Sequence, residues 1–155
     1  MDLTIARALK LKNRLQSRIR VIASDMESYN STVSGGTKEV NVRESLIEYE
    51  RLVDHLIALK VKIFASNLPV YKKILRLAEI KSEIKMLRSV STQHGKVVDT
   101  YRYSGPSEHV EYDANFRKAE IDKMTRLMEE QVDQIQEELD NHNHANFIEI
   151  DSFSF

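Results

Sequence analysis

From Leu3 to Asn30 the chain runs 28 residues without a glycine or a proline, and its apolar residues keep a helical period throughout. Ala8, Leu11, Leu15, Ile19, Ile22, Met26 and Tyr29 follow one another at intervals of 3, 4, 4, 3, 4 and 3. At about 100° per residue these positions share a stripe roughly 80° wide. The spacing predicts one helix of about 27 residues, near 40 Å long at about 1.5 Å per residue. Asn30 to Thr37 is then a run of turn-forming residues, read as a loop.

The same logic carries along the chain. Asn41 is placed to cap a second helix, with Glu44 three residues later able to reach back to the cap's own N–H. Leu46, Tyr49, Val53, Leu56, Leu59 and Ile63 mark its main apolar stripe. Ile57, Val61 and Phe64 widen that face, so the helix is expected to touch neighbours on two sides. Pro69 disfavours helix at Leu68 and suits the first turn of a third helix, where its missing N–H costs nothing. That helix is anchored by Ile74, Leu77, Ile80, Ile84 and Leu87, and Gly95 marks its end.

Between Val97 and Tyr112 the pattern changes to β-formers around the turn Ser104-Gly105-Pro106-Ser107. A hairpin with a four-residue loop is predicted, with Tyr101 opposite Val110 and Arg102 opposite His109. Tyr101, Val110 and Tyr112 then form a face that should pack on helices or on another subunit. A fourth helix is expected from about Ala114 to Asn141, anchored by Met124, Leu127, Met128, Ile135 and Leu139. Phe147 to Ile150 reads as a short extended segment.

Composition agrees. Four glycines and two prolines in 155 residues are about a third of ordinary usage, which means few connections and long elements. The expectation is an all-α protein: an antiparallel bundle of about four long helices, with one small β-hairpin between the third and fourth. It comprises one domain over residues 1–145, with the hairpin at about 97–112 and a C-terminal tail over 146–155.

Several chemistries are excluded. With no cysteine there is no disulfide, iron–sulfur cluster, thiolate zinc site or thiol nucleophile. A formal charge of −1 gives no global attraction to nucleic acid or acidic membranes. No apolar run approaches the roughly 18 residues of a spanning helix, and no signal-peptide core is evident. A cytoplasmic protein without a membrane span is expected. There is no phosphate loop, dinucleotide fingerprint or His-Glu-x-x-His, and no recognisable acid/base pair. No catalytic residue, metal site or cofactor is assigned.

Two charge patterns stand out. The first helix carries Arg7, Lys10, Lys12, Arg14, Arg18 and Arg20 with no acid between Leu3 and Ser24. Arg7, Arg14 and Arg18 lie within roughly 40° of one another along the edge of the apolar stripe. Such a stripe either flanks a helix interface or tracks phosphates. The fourth helix carries Glu129, Glu130, Asp133, Glu137, Glu138 and Asp140, mostly turned away from its apolar face toward solvent or another chain. His142 and His144 point about 160° apart on a helix, so they share a metal only in extended chain. His55, among apolar residues, reads as a partly buried, hydrogen-bonded histidine. Arg102-x6-His109 and Arg88-x5-His94 both fit the Arg/His spacing of a class of helical ribonucleases, and that two pairs fit shows how common the spacing is.

Ile63-x3-Asn67, Leu75-x2-Ala78-Glu79 and Asp133-x-Ile135-Gln136-x2-Leu139-Asp140-x2-Asn143, with the order helix, helix, helix, hairpin, helix, resemble the septicolysin-like family of small uncharacterised bacterial proteins. The resemblance implies a similar helical fold and assigns no activity. The functional expectation is a non-enzymatic interaction protein that self-associates, as a dimer or higher oligomer, through helix faces. The alternative is a nucleic-acid-binding helical module using the basic first helix.

Overall fold

The computed structural model describes residues 1–31, 34, 40–98 and 109–150. Four long helices and two small antiparallel strand pairs make up the described chain: β1 (Asp2–Thr4), α1 (Ile5–Tyr29), α2 (Val42–Asn67), a 3-10 turn (Leu68–Val70), α3 (Tyr71–Ser89), β2 (Gly95–Val98), β3 (His109–Tyr112), α4 (Lys118–Ala145) and β4 (Phe147–Glu149). The protein is all-α, with a small β-hairpin between the third and fourth helices. Its residues gather into two compact units, one of Met1–Tyr71 with Leu139–Phe155, the other of Lys72–Glu138.

In the first unit, α1 and α2 pack along their apolar stripes. Ile5, Ala8, Leu15 and Ile22 from α1 meet Leu52, Leu56, Leu59 and Ile63 from α2 in one buried cluster, with Leu11, Ile19, Met26 and Tyr49 packed against it. The α2 stripe centres on Leu52, which is fully buried, whereas Leu46 is 44% exposed. At about 100° per residue Leu46 lies roughly 120° around the helix from Leu52, too far to share its face. Both helices begin at side-chain caps: Thr4 Oγ1 accepts from the Arg7 N–H at 3.3 Å, and Asn41 Oδ1 from the Glu44 N–H at 3.5 Å. Each cap satisfies a backbone donor that the first turn leaves open.

The helix predicted from Leu3 starts two residues later. Leu3 lies in β1, which pairs with β4 in the register Asp2↔Glu149, Leu3↔Ile148, Thr4↔Phe147. The Ile150 N–H donates to the Met1 carbonyl at 3.0 Å, and the Met1 amine donates to the Ile150 carbonyl at 2.9 Å. The segment read as the start of a tail therefore belongs to the core, where Ile148 and Ile150 are buried. Extended backbone wins at Leu3 because the partner strand satisfies its polar groups while Thr4 turns the chain into the helix.

The start of α1 and the end of α2 both meet the end of α4. Ile5 N–H donates to the Asn146 carbonyl at 3.0 Å, and His142 Nε2 lies 3.1 Å from the Ser66 carbonyl oxygen. Helices α1 and α2 therefore run antiparallel.

In the second unit, α3 and α4 also run antiparallel. Lys73 near the start of α3 pairs with Glu138, and Arg88 near its end pairs with Glu129. Ile80 and Ile84 are buried on α3, and Ile121 and Thr125 on α4. The Thr125 hydroxyl donates to the carbonyls of Ile121 and Asp122 at 3.0 and 3.1 Å, so its burial leaves no orphan donor. Leu127, read as an anchor, is 52% exposed. It lies roughly 140° from the line of Ile121 and Thr125 at about 100° per residue. Helix α4 starts at Lys118 rather than near Ala114. There Glu120 reaches back to accept from the Arg117 N–H at 2.8 Å, capping the first turn.

The hairpin register differs from the prediction. Val97 pairs with Val110, Val98 with His109, and Gly95 with Tyr112. Val110 is thus opposite Val97 and not Tyr101, and His109 opposite Val98 and not Arg102. Tyr101, Arg102 and the predicted turn Ser104–Ser107 lie outside the described residues. Moving the pairing by four residues keeps the same faces, because side chains alternate with period two. Gly95 has φ of 87°, a conformation glycine adopts without strain. It opens β2, and α3 ends earlier, at Ser89.

Candidate interaction surfaces

The basic residues of α1 are on the surface. Arg7, Lys10, Arg14 and Arg18 are exposed, and Arg14 and Arg18 join Asn13 and Ser17 around an open depression of about 460 Å³. Among the described residues no ion pair joins Arg7, Arg14 or Arg18 to a carboxylate. The nearest electrostatic relation is between Arg18 and Glu48 on α2. Glu48 is engaged by Arg51, whose Nε and Nη2 donate to its two carboxylate oxygens at 2.7 and 2.8 Å. These bonds hold the Glu48 carboxyl below its usual range, with smaller help from the charges of Arg51, Arg18 and His55 against partial desolvation. His55 is half-buried with Nε2 3.4 Å from Arg51 Nη1, in keeping with its reading as a hydrogen-bonded histidine.

The acids of α4 divide. Glu129 and Glu138 pair with α3, not with the basic α1, and both remain about half exposed. Between α3 and α4 lies a cleft of about 580 Å³, lined by Lys81, Ile84, Lys85 and Arg88 on one side and Glu129, Val132 and Asp133 on the other. Its bases and acids come from opposite walls, and Arg88 pairs with Glu129 across it.

The histidines near the end of α4 are occupied by helix chemistry. His142 Nε2 approaches the Ser66 carbonyl, and its Nδ1 lies 3.1 Å from Asn146 Nδ2. His144 Nδ1 lies 2.7 Å from the Asp140 carbonyl one turn back. Both sit on a helix, where i and i+2 diverge. Among the described residues no group of three His, Asp or Glu side chains is placed to hold a metal. Arg88 of the Arg88/His94 pair is bound to Glu129, and His94 Nδ1 accepts from the Ala114 N–H at 3.3 Å.

An exposed apolar surface runs along the outer side of α2 and on to the start of α3. Ile57, Val61, Phe64, Leu68 and Tyr71 are 53, 62, 53, 56 and 41% exposed. Ile57, Val61 and Phe64, at intervals of 4 and 3, lie roughly 140° around α2 from the buried Leu52/Leu56/Leu59/Ile63 stripe, while Leu68 belongs to the 3-10 turn and Tyr71 to the start of α3. Phe64 and Tyr71 meet edge to face with ring centroids 5.7 Å apart. Sequence reasoning found Ile57, Val61 and Phe64 but stopped at Pro69. Helix α2 does end there, at Asn67, and Leu68 and Tyr71 add to the exposed surface from the 3-10 turn and the start of α3. Val110 and Tyr112 of the hairpin are 38 and 41% exposed.

No described helix is long and apolar enough to cross a membrane. No family model and no curated protein matches the sequence. The structure is similar to the crystal structure of a functionally unknown conserved protein from Corynebacterium diphtheriae, with a TM-score of 0.81 and 17% identity over 96% of this chain and 100% of that one. At that identity the likeness concerns the fold.

Proposed function

We propose that the protein is a non-enzymatic interaction module that self-associates as a dimer, two copies meeting through the outer face of α2. The exposed stripe Ile57/Val61/Phe64/Leu68/Tyr71 carries this reading. Within α2 the intervals of 4 and 3 from Ile57 to Phe64 match the repeat by which two like helices interlock side chains, and Leu68 and Tyr71 extend the exposed surface past its end. Ala58 and Ala65, both exposed and seven residues apart, flank it on one side and let a partner helix approach closely. The five side chains expose roughly 500 Å² of mostly apolar surface, and with their neighbours approach the ~800 Å² per partner of a standard interface. A patch of that extent matches the largest apolar patch of a typical monomer, and such patches are often functional. The Ile63-x3-Asn67 fragment, with Asn67 closing α2, supports extending the proposal to kinship with septicolysin-like proteins.

Light scattering coupled to size exclusion tests the dimer. The expected mass is about twice 18.0 kDa, falling to the monomer value in Val61→Glu and Phe64→Glu with helical circular dichroism unchanged. Both positions are more than half exposed, so the charge does not enter the core. A parent chain that stays at 18.0 kDa across micromolar concentrations sinks the reading.

A further inference from the structure

The basic face of α1 is separate from the α2 stripe and has its own chemistry. Arg7, Lys10, Arg14 and Arg18 succeed one another at intervals of 3, 4 and 4, so they line up within roughly 80° of arc over about 16 Å of helix. All four are exposed. No acid occurs on α1 before Asp25, one heptad beyond Arg18. Among the described residues, no salt bridge engages any of the four. A row of cations of this length, without salt-bridge partners among the described residues, fits a polyanion with regularly spaced charges.

The depression beside the row narrows the choice. It is walled by Arg14 and Arg18 with Asn13 and Ser17, largely through the apolar parts of those side chains. Guanidinium planes stack on nucleobases as aromatic rings do, and an amide and a hydroxyl supply donors and acceptors to a base edge. This answers the lack of aromatic residues along the row. A duplex offers phosphates and base edges in its grooves, but its stacked base faces cannot enter the depression. A single strand can turn a base out into the depression while its backbone follows the cations. An anionic membrane would need apolar side chains on the same face to insert. On that face only Val21, 50% exposed, is available beyond Arg18.

We propose that the exposed face of α1 binds single-stranded nucleic acid, with phosphates along Arg7, Lys10, Arg14 and Arg18 and an unstacked base in the depression at Asn13 and Ser17. This surface operates whether or not α2 dimerises.

Fluorescence anisotropy with labelled mixed-sequence 20-mers of single-stranded DNA and RNA, and the matching duplex, tests it. The single strand is expected to bind more tightly than the duplex. Its log affinity should fall with log salt at a slope of roughly −2 to −3, at about −0.7 per phosphate for three or four contacts. Arg7→Gln/Arg14→Gln/Arg18→Gln should lose at least tenfold affinity and flatten the slope. Asn13→Ala/Ser17→Ala should lose severalfold on single strands and nothing on duplex. Phe64→Glu, disrupting the α2 face, should bind as the parent does, which separates this site from the dimer. Circular dichroism confirms that each variant is folded. No saturable binding to single strands at 50 mM salt and 100 µM protein overturns the proposal. So does equal affinity for duplex with no effect of Asn13→Ala/Ser17→Ala, or binding to vesicles with 30% anionic lipid and not to nucleic acid.

Discussion

His142 Nε2 stands 3.1 Å from the Ser66 carbonyl oxygen, joining the last turn of α4 to the last turn of α2. Because that carbonyl only accepts, Nε2 carries the proton, and Nδ1 is free to accept from Asn146 Nδ2 at 3.1 Å. The same amide also donates to the His142 carbonyl at 2.9 Å. A histidine sought as a metal ligand is thus a clasp that fixes where α4 ends and β4 begins. His142→Ala should lower stability by about 0.5–1.5 kcal/mol, the usual net contribution of one such bond. His142→Gln, whose amide also donates, should recover part of it. Thermal melts of the two variants check this, and an unchanged melt in His142→Ala defeats it.

The buried stripes allow a sharper contrast. Leu15 is fully buried, whereas Leu127 is 52% exposed. Leu15→Ala should cost about 2–5 kcal/mol in urea unfolding, through lost burial and the cavity left behind. Leu15→Asp and Leu56→Asp should fail to fold, since each puts an unpaired charge in the core. Leu127→Ala should fall within about 0.5 kcal/mol of the parent, as exposed sites do. A large loss at Leu127 would show that its face is covered in the working protein.

The contrast also shows what the amino-acid order conveys and what it hides. Long helices with a strong period were legible because one face must be buried, and Ala8, Leu15, Ile22, Leu56, Leu59 and Ile63 are where the stripes put them. Leu127 misled because it is as apolar as Met124 and Met128, and only the packing partner decides which line of α4 is covered. The hairpin's position was readable from its β-formers. Its register was not, since moves of two or four residues preserve every face. Strand β1 was invisible because its three residues acquire a partner 145 positions away, a pairing with no local trace. The basic face of α1 was legible in composition. The depression at Asn13 and Ser17 was not, because it depends on the side-chain conformations of Asn13, Arg14, Ser17 and Arg18, which the residue order does not state.

That distant pairing makes its own prediction. Ile148 is 5% and Ile150 6% exposed, both in the cluster that holds Ile5 and Leu52. Ending the chain at Asn146 should remove both side chains and the β1 pairing, destabilising the first unit by several kcal/mol on the scale of large core truncations. Amide hydrogen exchange is the measurement: protection in the first turns of α1 should fall together with overall stability. Restoring residues 147–150 should restore it. A truncated chain with parental melting and protection would show that β4 is an ornament of the fold.

The Glu48–Arg51 pair predicts an acid response with a definite sign. Arg51's two hydrogen bonds hold the Glu48 carboxyl below its ordinary value. A carboxyl depressed in the folded state stabilises that state above its unfolded pKa, near 4.3. The stabilisation is lost as pH falls from there through the lower folded value. The side chains of Arg51 and Glu48 are 40% and 36% exposed, so water screens the pair and its share of total stability is small. The titration itself is the better readout. Carboxyl-resolved NMR should place the Glu48 midpoint below that of an unperturbed glutamate. Arg51→Gln should move it up toward the ordinary range, because the charged bidentate partner is gone. Arg18→Gln should move it up by less, since Arg18 acts only through space. A Glu48 midpoint at the ordinary value in the parent, or one indifferent to Arg51→Gln, would mean that the two side chains do not hold this geometry in solution.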